Sequence, residues 1–375
     1  MGLKSNELVK PPAGVWLTIQ DWLNETRPAK GSWVRPFRED EPVLVRRPKG
    51  LEVPVHWRLR FPVRKKLPQR HAFVAAISGG RVAGETCAIL APDHKLLWEV
   101  SKERAKEPHL HSLLRKPQLP PLQKTKETVA VLYVKDSGIY YHWMMDVLPK
   151  LKLMAASGIK PDRYVINGQS TAPFQYETLE HLGIPKNRII ESSHDLHLQA
   201  SKLVVSGYTP GIRAKWTCQF LRKAFLSGEL HKSKRGRGKR LFISRRLASK
   251  RKLVNEDEIM ELLKPRGFTR VDLEKLPVTE QARLFHSAEA IVAPHGAGLT
   301  NLVFCRPGTK VVEMFSPNHV HPCYAIISSH MGLRHYYLIG TGKRPPEYVN
   351  PQMRADNITV DLQELKQVLQ LANIR

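Results

Sequence analysis

Three short stretches of the 375-residue sequence combine residue types that can do chemistry. In the first, YYHWMMDVLP, His142 and Asp146 stand four apart just after a Ser-Gly turn. On a helix that spacing puts an imidazole and a carboxylate on one face near its start, within reach of a hydrogen-bonded acid-base pair. A His, an Asp and aromatics such as Tyr141 and Trp143 on an apolar helix start point to a cleft, and Pro149 is expected to kink or end the first turns. The second stretch, APHGAGLTN, follows an apolar strand and opens a helix. Gly296 and Gly298, with Ala297, Leu299 and Asn301, would let backbone N–H groups approach a phosphate while His295 donates to one of its oxygens. An ordinary strand-to-helix turn with a structural histidine uses the same residues. Third, Ser244-Arg245-Arg246 ends a strand of the same region, so its side chains should reach the same rim, where a guanidinium grips a diphosphate through two parallel bonds. Residues 232–252 contain no acid at all, and a solvated basic face is the competing reading of both arginines. Glu313 closes the strand VVEMF, where a carboxylate can accept from both ribose hydroxyls of a nucleotide or pair with the basic surroundings.

Such residues need a scaffold that gathers strand ends, and two series of elements supply it. HAFVAAISGG, RVAGETCAIL and APDHKLLWEVS cluster apolar residues between Gly-Gly and Pro-Asp punctuation, as a β-meander does. Residues 101–128 read as a basic surface connection. VAVLYV then gives a buried strand, IYYHWMMDVLPKLKLMAAS a helical run, RYVINGQ a strand and FQYETLEHLGI a helix, with RIIES and KLVVSGY as further strands. Residues 213–227 read as a helix, and HKSKRGRGKR breaks every periodicity with Gly and like charge, so the domain boundary is expected there. The second series runs RLFISRR, NEDEIMELLKPRGF, TRVDLEKL, VTEQARLFHSAE, AIVAPHGAG, LTNLVFCRPG and TKVVEMF, alternating strand and helix. Asn255 with Glu258 predicts a capping-box start, and Asp361 caps a final helix. Alternation of this kind implies parallel crossovers and doubly wound sheets. The expected layout is an arm over 1–70 that either wraps a domain irregularly or is partly disordered, a Rossmann-like domain with a leading meander over 71–230, a second Rossmann-like domain over 231–345, and a segment 346–375 whose helix packs across the seam.

Composition bounds the partners. Sixty Lys and Arg against 34 Asp and Glu give a net charge of +26, which points to anionic partners: nucleic acid, acidic membrane or phosphorylated small molecules. The four cysteines Cys87, Cys218, Cys305 and Cys323 show no CxxC spacing, which argues against a disulfide framework or a zinc site. Neither a signal-peptide core nor a run of about eighteen apolar residues is present, so a cytoplasmic location is expected. The opening MGLKSN fits the loose N-myristoylation pattern.

Taken together, YYHWMMDVLPKL, LFISRR with NEDEI, and LFHSAEAIVAPHGAGLTNLVFCRPGTKVVEMF resemble glycosyltransferase family 61, which includes capsular-polysaccharide enzymes and eukaryotic xylosyl-, arabinosyl- and N-acetylglucosaminyltransferases. The resemblance covers roughly residues 70 to 345. It implies a GT-B fold of two facing Rossmann-like domains with a small N-terminal β-rich extension, inversion at the anomeric carbon, a nucleotide sugar as co-substrate and no obligatory metal or other cofactor. It places His142, Asp146, Tyr141 and Trp143 on the acceptor side. Arg245, Arg246, His295, Gly296, Ala297, Gly298, Leu299, Asn301 and Glu313 fall around the donor.

Inverting transfer needs a base for the acceptor proton and cations or N–H dipoles for the departing diphosphate. Asp146 oriented by His142 is the first candidate base, and His142 acting directly is the second. No DxD pair stands at a strand end, so arginine is expected to replace a metal, and the Glu256-Asp257-Glu258 cluster reads as a helix first turn favoured by the dipole. The expected acceptor is a glycan or lipid-linked saccharide, with a basic face holding the enzyme at the inner surface of an anionic membrane. Two rivals stand beside this: a basic nucleic-acid-binding protein, against which no recognisable binding motif appears, and a nucleotide-sugar epimerase on the same fold.

Overall fold

The computed structural model describes residues 9–28, 30–37, 45–51, 72–103, 107–169, 171–207, 215–227, 238–342 and 355–375. The MGLKSN pattern, residues 232–237 of the basic run and much of the expected arm lie outside them. Two compact units emerge, residues 1–39 with 69–211 and residues 40–68 with 212–375.

The first unit is built on one mixed sheet of ten strands. These are β1 (Val15–Trp16), β2 (Trp33–Phe37), β3 (Ala72–Ser78), β4 (Arg81–Ala83), β5 (Ala88–Leu90), β6 (Leu96–Leu97), β7 (Gln123–Leu132), β8 (Arg163–Ile166), β9 (Ile189–Glu191) and β10 (His197–Gly207). Four of them run parallel in the order β9-β8-β7-β10, so the order reverses at β7. β10 gives its other edge to β3 and β4, both antiparallel; β4, β5 and β6 form a meander, while β3, expected to be its first strand, pairs with β2 and β10 instead. Alternation along β7 sends Val129 and Val131 into a core shared with Ile77, Val82, Val165 and Leu203.

The described part of the N-terminal stretch is more ordered than an irregular arm. Helix α1 (Ile19–Thr26) starts at Thr18, whose side chain accepts from the Asp21 N–H while the Asp21 carboxylate accepts from the Thr18 N–H. Ile19 and Trp22, three apart on one helical face, are buried in the first core, and β2 pairs with β3. Burial of that face explains the order.

The second unit carries β11 (Lys239–Ile243), β12 (Phe268–Val271), β13 (Ala288–Pro294), β14 (Lys310–Phe315) and β15 (Arg334–Ile339), all parallel in the order β12-β11-β13-β14-β15. The order reverses between β11 and β13, and in open α/β sheets ligands bind at the carboxyl ends of strands at such a point. Val292, Val312, Met314, Tyr336 and Leu338 pack one face against α6 (Glu256–Leu263) and α9 (Leu362–Leu371). α5 (Lys215–Leu226), α7 (Val278–Ser287) and α8 (Cys323–Met331) pack around the 3-10 stretch Ala297–Phe304 in the same unit. The helix expected at residues 213–227 therefore groups with the second sheet, as does the bridge from Lys49 to Tyr336 beside β15.

Caps follow the sequence in part. Asp361 accepts from the Gln363 and Glu364 N–H groups, as expected. Asn255 makes no cap bond: its side chain pairs with both backbone groups of Val360, a tertiary partner that replaces the capping box. The four cysteines are unbridged and buried. Among the described residues no helix is long and apolar enough to cross a membrane.

Candidate functional site

In the first unit β7 delivers the chain to the carboxyl end of its sheet, and the helical run begins with α2 (Tyr140–His142). The next turn, Trp143–Val147, is π-helical, with the Leu148 N–H donating to the Trp143 carbonyl at 2.9 Å. Single π turns recur at functional sites because the wider turn re-aims side chains. The widening also accommodates Pro149, which has no N–H to give; the π turn ends at Val147, and α3 (Lys150–Ala156) begins after Leu148 and Pro149, which keep helical dihedrals. His142 Nδ1 lies 2.7 Å from Asp146 Oδ2. An ionised carboxylate only accepts, so Nδ1 carries the proton and Nε2 is left on the far side of the ring. The imidazole is 32% exposed and the carboxylate 6%, which makes His142 the member that can meet a ligand.

Two aromatics expected at an acceptor cleft brace this pair instead. Trp143 is fully buried and donates its indole N–H to Thr178 Oγ1 on α4 (Pro173–His181) at 2.8 Å. Tyr141 is buried with its ring edge-to-face against His142 at 5.3 Å between centroids. One residue escaped the sequence reading. Lys150, four beyond Asp146, is buried and donates to the Ser206 carbonyl near the end of β10 at 2.6 Å. Burial pulls its ammonium down to about 8, against the opposing charge of Asp146. A lysine at helical spacing from His142 and Asp146 was the available signal.

In the second unit the predicted rim forms around the reversal point. Ser244-Arg245-Arg246 follows β11 and His295-Gly296-Ala297 follows β13, its direct neighbour. Gly296 is needed for close approach: a Cβ there would lie 2.0 Å from Arg245 Nη1. Gly298 makes room for Leu273, where a Cβ would stand 2.7 Å from Cδ1. The rest of the motif turns inward, with Leu299 and Asn301 buried and the Asn301 amide donating to Gln281 at 2.7 Å. Leu299 and Asn301 thus shape the turn from behind.

The two arginines diverge. Arg245 folds back on its own loop, donating to the carbonyls of Lys250 at 2.8 Å and Arg251 at 3.3 Å. Glu256 anchors that loop through the Ser244 hydroxyl at 2.7 Å. Arg246 points outward into a forked ion pair with Asp272, whose hydrogen bond holds the carboxyl below its usual range. The second guanidinium at the turn belongs to Arg251, which donates to the His295 carbonyl at 3.3 Å. Burial, then the neighbouring charge of Arg251, pulls Arg245 down, and burial does the same to Arg251. Two crowded, part-buried cations beside a glycine turn suit a dianionic ligand. Arg251 was hidden in sequence by the charge run around it.

Glu313 is fully buried on β14 with both oxygens engaged, one by His295 Nδ1 at 2.5 Å and the other by His335 Nε2 at 3.0 Å. It holds histidines where the sequence suggested a ribose partner. Burial pushes its carboxyl up, but His295 and then His335 outweigh that and leave it lowered. The His295 ring packs among Phe315, His319 and Tyr324 at 5.1, 5.0 and 5.1 Å between centroids. Among the described residues no group of three or more His, Cys, Asp and Glu is arranged to hold a metal ion. A cavity of about 410 Å³, lined by residues including Arg240, Glu289 and Lys310, opens at the amino ends of β11, β13 and β14, away from this rim.

Comparison with known proteins bears on the same residues. Residues 140–312 match the family model of Glycosyltransferase 61. A β-1,2-xylosyltransferase of Oryza sativa subsp. japonica, RCN11, is 37% identical over 73 residues, 19% of this chain and 14% of that protein. The EGF domain-specific O-linked N-acetylglucosamine transferase of Drosophila melanogaster is 31% identical over 100 residues, 25% of this chain and 18% of that protein. Its counterpart in Mus musculus is 29% identical over 126 residues, 32% and 23% respectively. The chain matches less than a quarter of the length of these curated relatives. What the comparison establishes is a stretch similar to glycosyltransferase family 61 that contains His142, Asp146, Arg245, Arg251 and the glycine turn.

Proposed function

We propose that this chain is an inverting glycosyltransferase that moves a sugar from a nucleotide diphosphate donor to a hydroxyl of a glycan or lipid-linked saccharide. Its two units are read as the lobes of a GT-B enzyme. The observation that carries the reading is the pair of arginines, Arg245 and Arg251, against His295 and Gly296 at the reversal point of a parallel sheet. The similarity of residues 140–312 to glycosyltransferases supports it.

In this reading Arg245, Arg251 and the turn's N–H groups take up the charge that grows on the departing diphosphate, with no metal required. His142 Nε2 accepts the acceptor's proton as the hydroxyl attacks opposite the leaving group. Asp146 fixes the tautomer and balances the imidazolium, as a buried carboxylate does behind a catalytic histidine. Exposure supports this order of roles, since the imidazole is 32% exposed and the carboxylate 6%. The charge of +26 supports peripheral association with an anionic, cytoplasm-facing bilayer, to be checked by flotation with anionic against neutral liposomes.

The test is turnover of a panel of nucleotide sugars with and without saccharide acceptors, in buffer with and without EDTA. Release of nucleoside diphosphate that depends on acceptor and survives EDTA is the expected result. Donor conversion without acceptor indicates an epimerase instead.

A further inference from the structure

Period two along a strand sends alternate side chains to one face, and three strands of the second sheet use this to align polar groups in a buried layer. Ala293 on β13 pairs with Glu313 on β14, which pairs with Tyr337 on β15. His295 and His335 lie two residues from Ala293 and Tyr337, so both share the face of Glu313. The contacts follow: Ser328 Oγ on α8 lies 2.8 Å from His335 Nδ1, His335 Nε2 lies 3.0 Å from Glu313 Oε2, and Glu313 Oε1 lies 2.5 Å from His295 Nδ1. All four residues are buried.

With Glu313 ionised the carboxylate only accepts, so both histidines donate to it, and a neutral His335 then accepts the Ser328 hydroxyl proton at Nδ1. That leaves Nε2 as the one ring nitrogen of His295 not committed to the row. His319, His321, Tyr324 and Phe315 surround the ring, and Arg251 holds its backbone carbonyl.

We propose that Ser328, His335 and Glu313 are positioning residues that lock His295 with Nδ1–H toward the carboxylate and present Nε2 at the glycine turn, where it meets the donor's diphosphate. The proposal rests on the nucleotide reading above. In the transfer step the bond from the anomeric carbon to the diphosphate oxygen breaks with its electron pair leaving on oxygen. The acceptor oxygen bonds to that carbon, and its proton passes to His142. His295 gives a hydrogen bond from protonated Nε2, while Glu313 balances the imidazolium. No proton transfer from His295 is required.

The first measurement is ¹⁵N NMR of the full chain labelled at histidine, which reads the proton on each ring nitrogen directly. A His295 signal with Nδ1 protonated, alone or together with Nε2, is expected; a neutral ring with its proton on Nε2 overturns the proposal whether or not any variant folds. The second is calorimetry with UDP, GDP and inorganic pyrophosphate. Glu313→Gln should weaken binding about tenfold or more, and His335→Leu by a smaller factor, while His335→Gln, which keeps a donor toward Glu313, should stay within about twofold of wild type. Equal affinity in Glu313→Gln and wild type at equal melting temperature refutes the positioning role. If wild type binds none of the three ligands, the nucleotide reading falls with its ligand, and the NMR result alone still judges the row.

Discussion

The two parallel arrays of this chain gather their polar residues at an order reversal yet do opposite things with charge. At β7, the residues after the strand enter a helical run in which a π turn buries a carboxylate behind a half-open histidine and the start of α3 buries a lysine. At β11 and β13 they enter loops that crowd two arginines against a backbone too bare to repel them. In the proposed reading the same topology thus yields a proton-handling group in one unit and an anion-binding rim in the other. What differs is the residue type that each strand end delivers.

Breaking the first site should cost turnover and spare binding. Asp146→Asn and His142→Gln are each expected to lower turnover by about a hundredfold or more, since loss of a general base or its partner does so. Nucleoside diphosphate affinity, measured by calorimetry, should stay unchanged in both. A His142→Gln enzyme at wild-type rate beside an inactive Asp146→Asn would transfer the base role to the aspartate.

Breaking the second site should do the reverse. Arg245→Ala and Arg251→Ala are each expected to weaken nucleoside diphosphate binding by about ten- to a hundredfold, the range of one charge-assisted hydrogen bond. Arg246→Ala, whose guanidinium is exposed and paired with Asp272, should change affinity by less than about twofold. Gly296→Ala sharpens the contrast. Its added methyl would meet Arg245 Nη1 at 2.0 Å, so loss of affinity should approach that of Arg245→Ala with both guanidiniums still in the chain.

The smallest effect concerns stability. Burial lowers Lys150 from 10.5 to about 8, so the folded state binds its proton less tightly than the unfolded chain. Below pH 8 the charged lysine therefore destabilises the fold, and that cost fades as pH rises from 8 toward 10.5. Lys150→Met should melt higher than wild type at pH 7 by calorimetry, with the gain shrinking by pH 9.5. A gain that grows with pH would contradict a buried ammonium.

Much of this was legible in the sequence because it depends on local pattern. The apolar run of KVVEMF, the cap at Asp361, the four-residue spacing of His142 and Asp146 and the glycine turn after AIVAP all carry their physics in neighbouring residues. What stayed hidden depends on partners far along the chain. Asn255 looks like a cap until Val360 arrives 105 residues later, and Glu313 looks like a ribose acceptor until His335 takes its second oxygen. Arg246 and Arg251 are equivalent members of a basic run by composition, and only Asp272 and His295 separate them. β15 and α8 were missed outright: RHYYLI and CYAIISSHM lie between KVVEMF and the final helix, in a stretch given no element, yet they bring His335 and Ser328 to the buried row.

The most direct measurement is thermal melting of wild type, Arg245→Ala and Asp146→Asn across a panel of nucleoside diphosphates, because a ligand bound only by the folded chain raises its stability by mass action. The expected result is one diphosphate that raises the melting temperature of wild type and Asp146→Asn alike and leaves Arg245→Ala near its unliganded value. A panel that moves none of the three proteins, or moves Arg245→Ala as far as wild type, contradicts the division of labour between the two units.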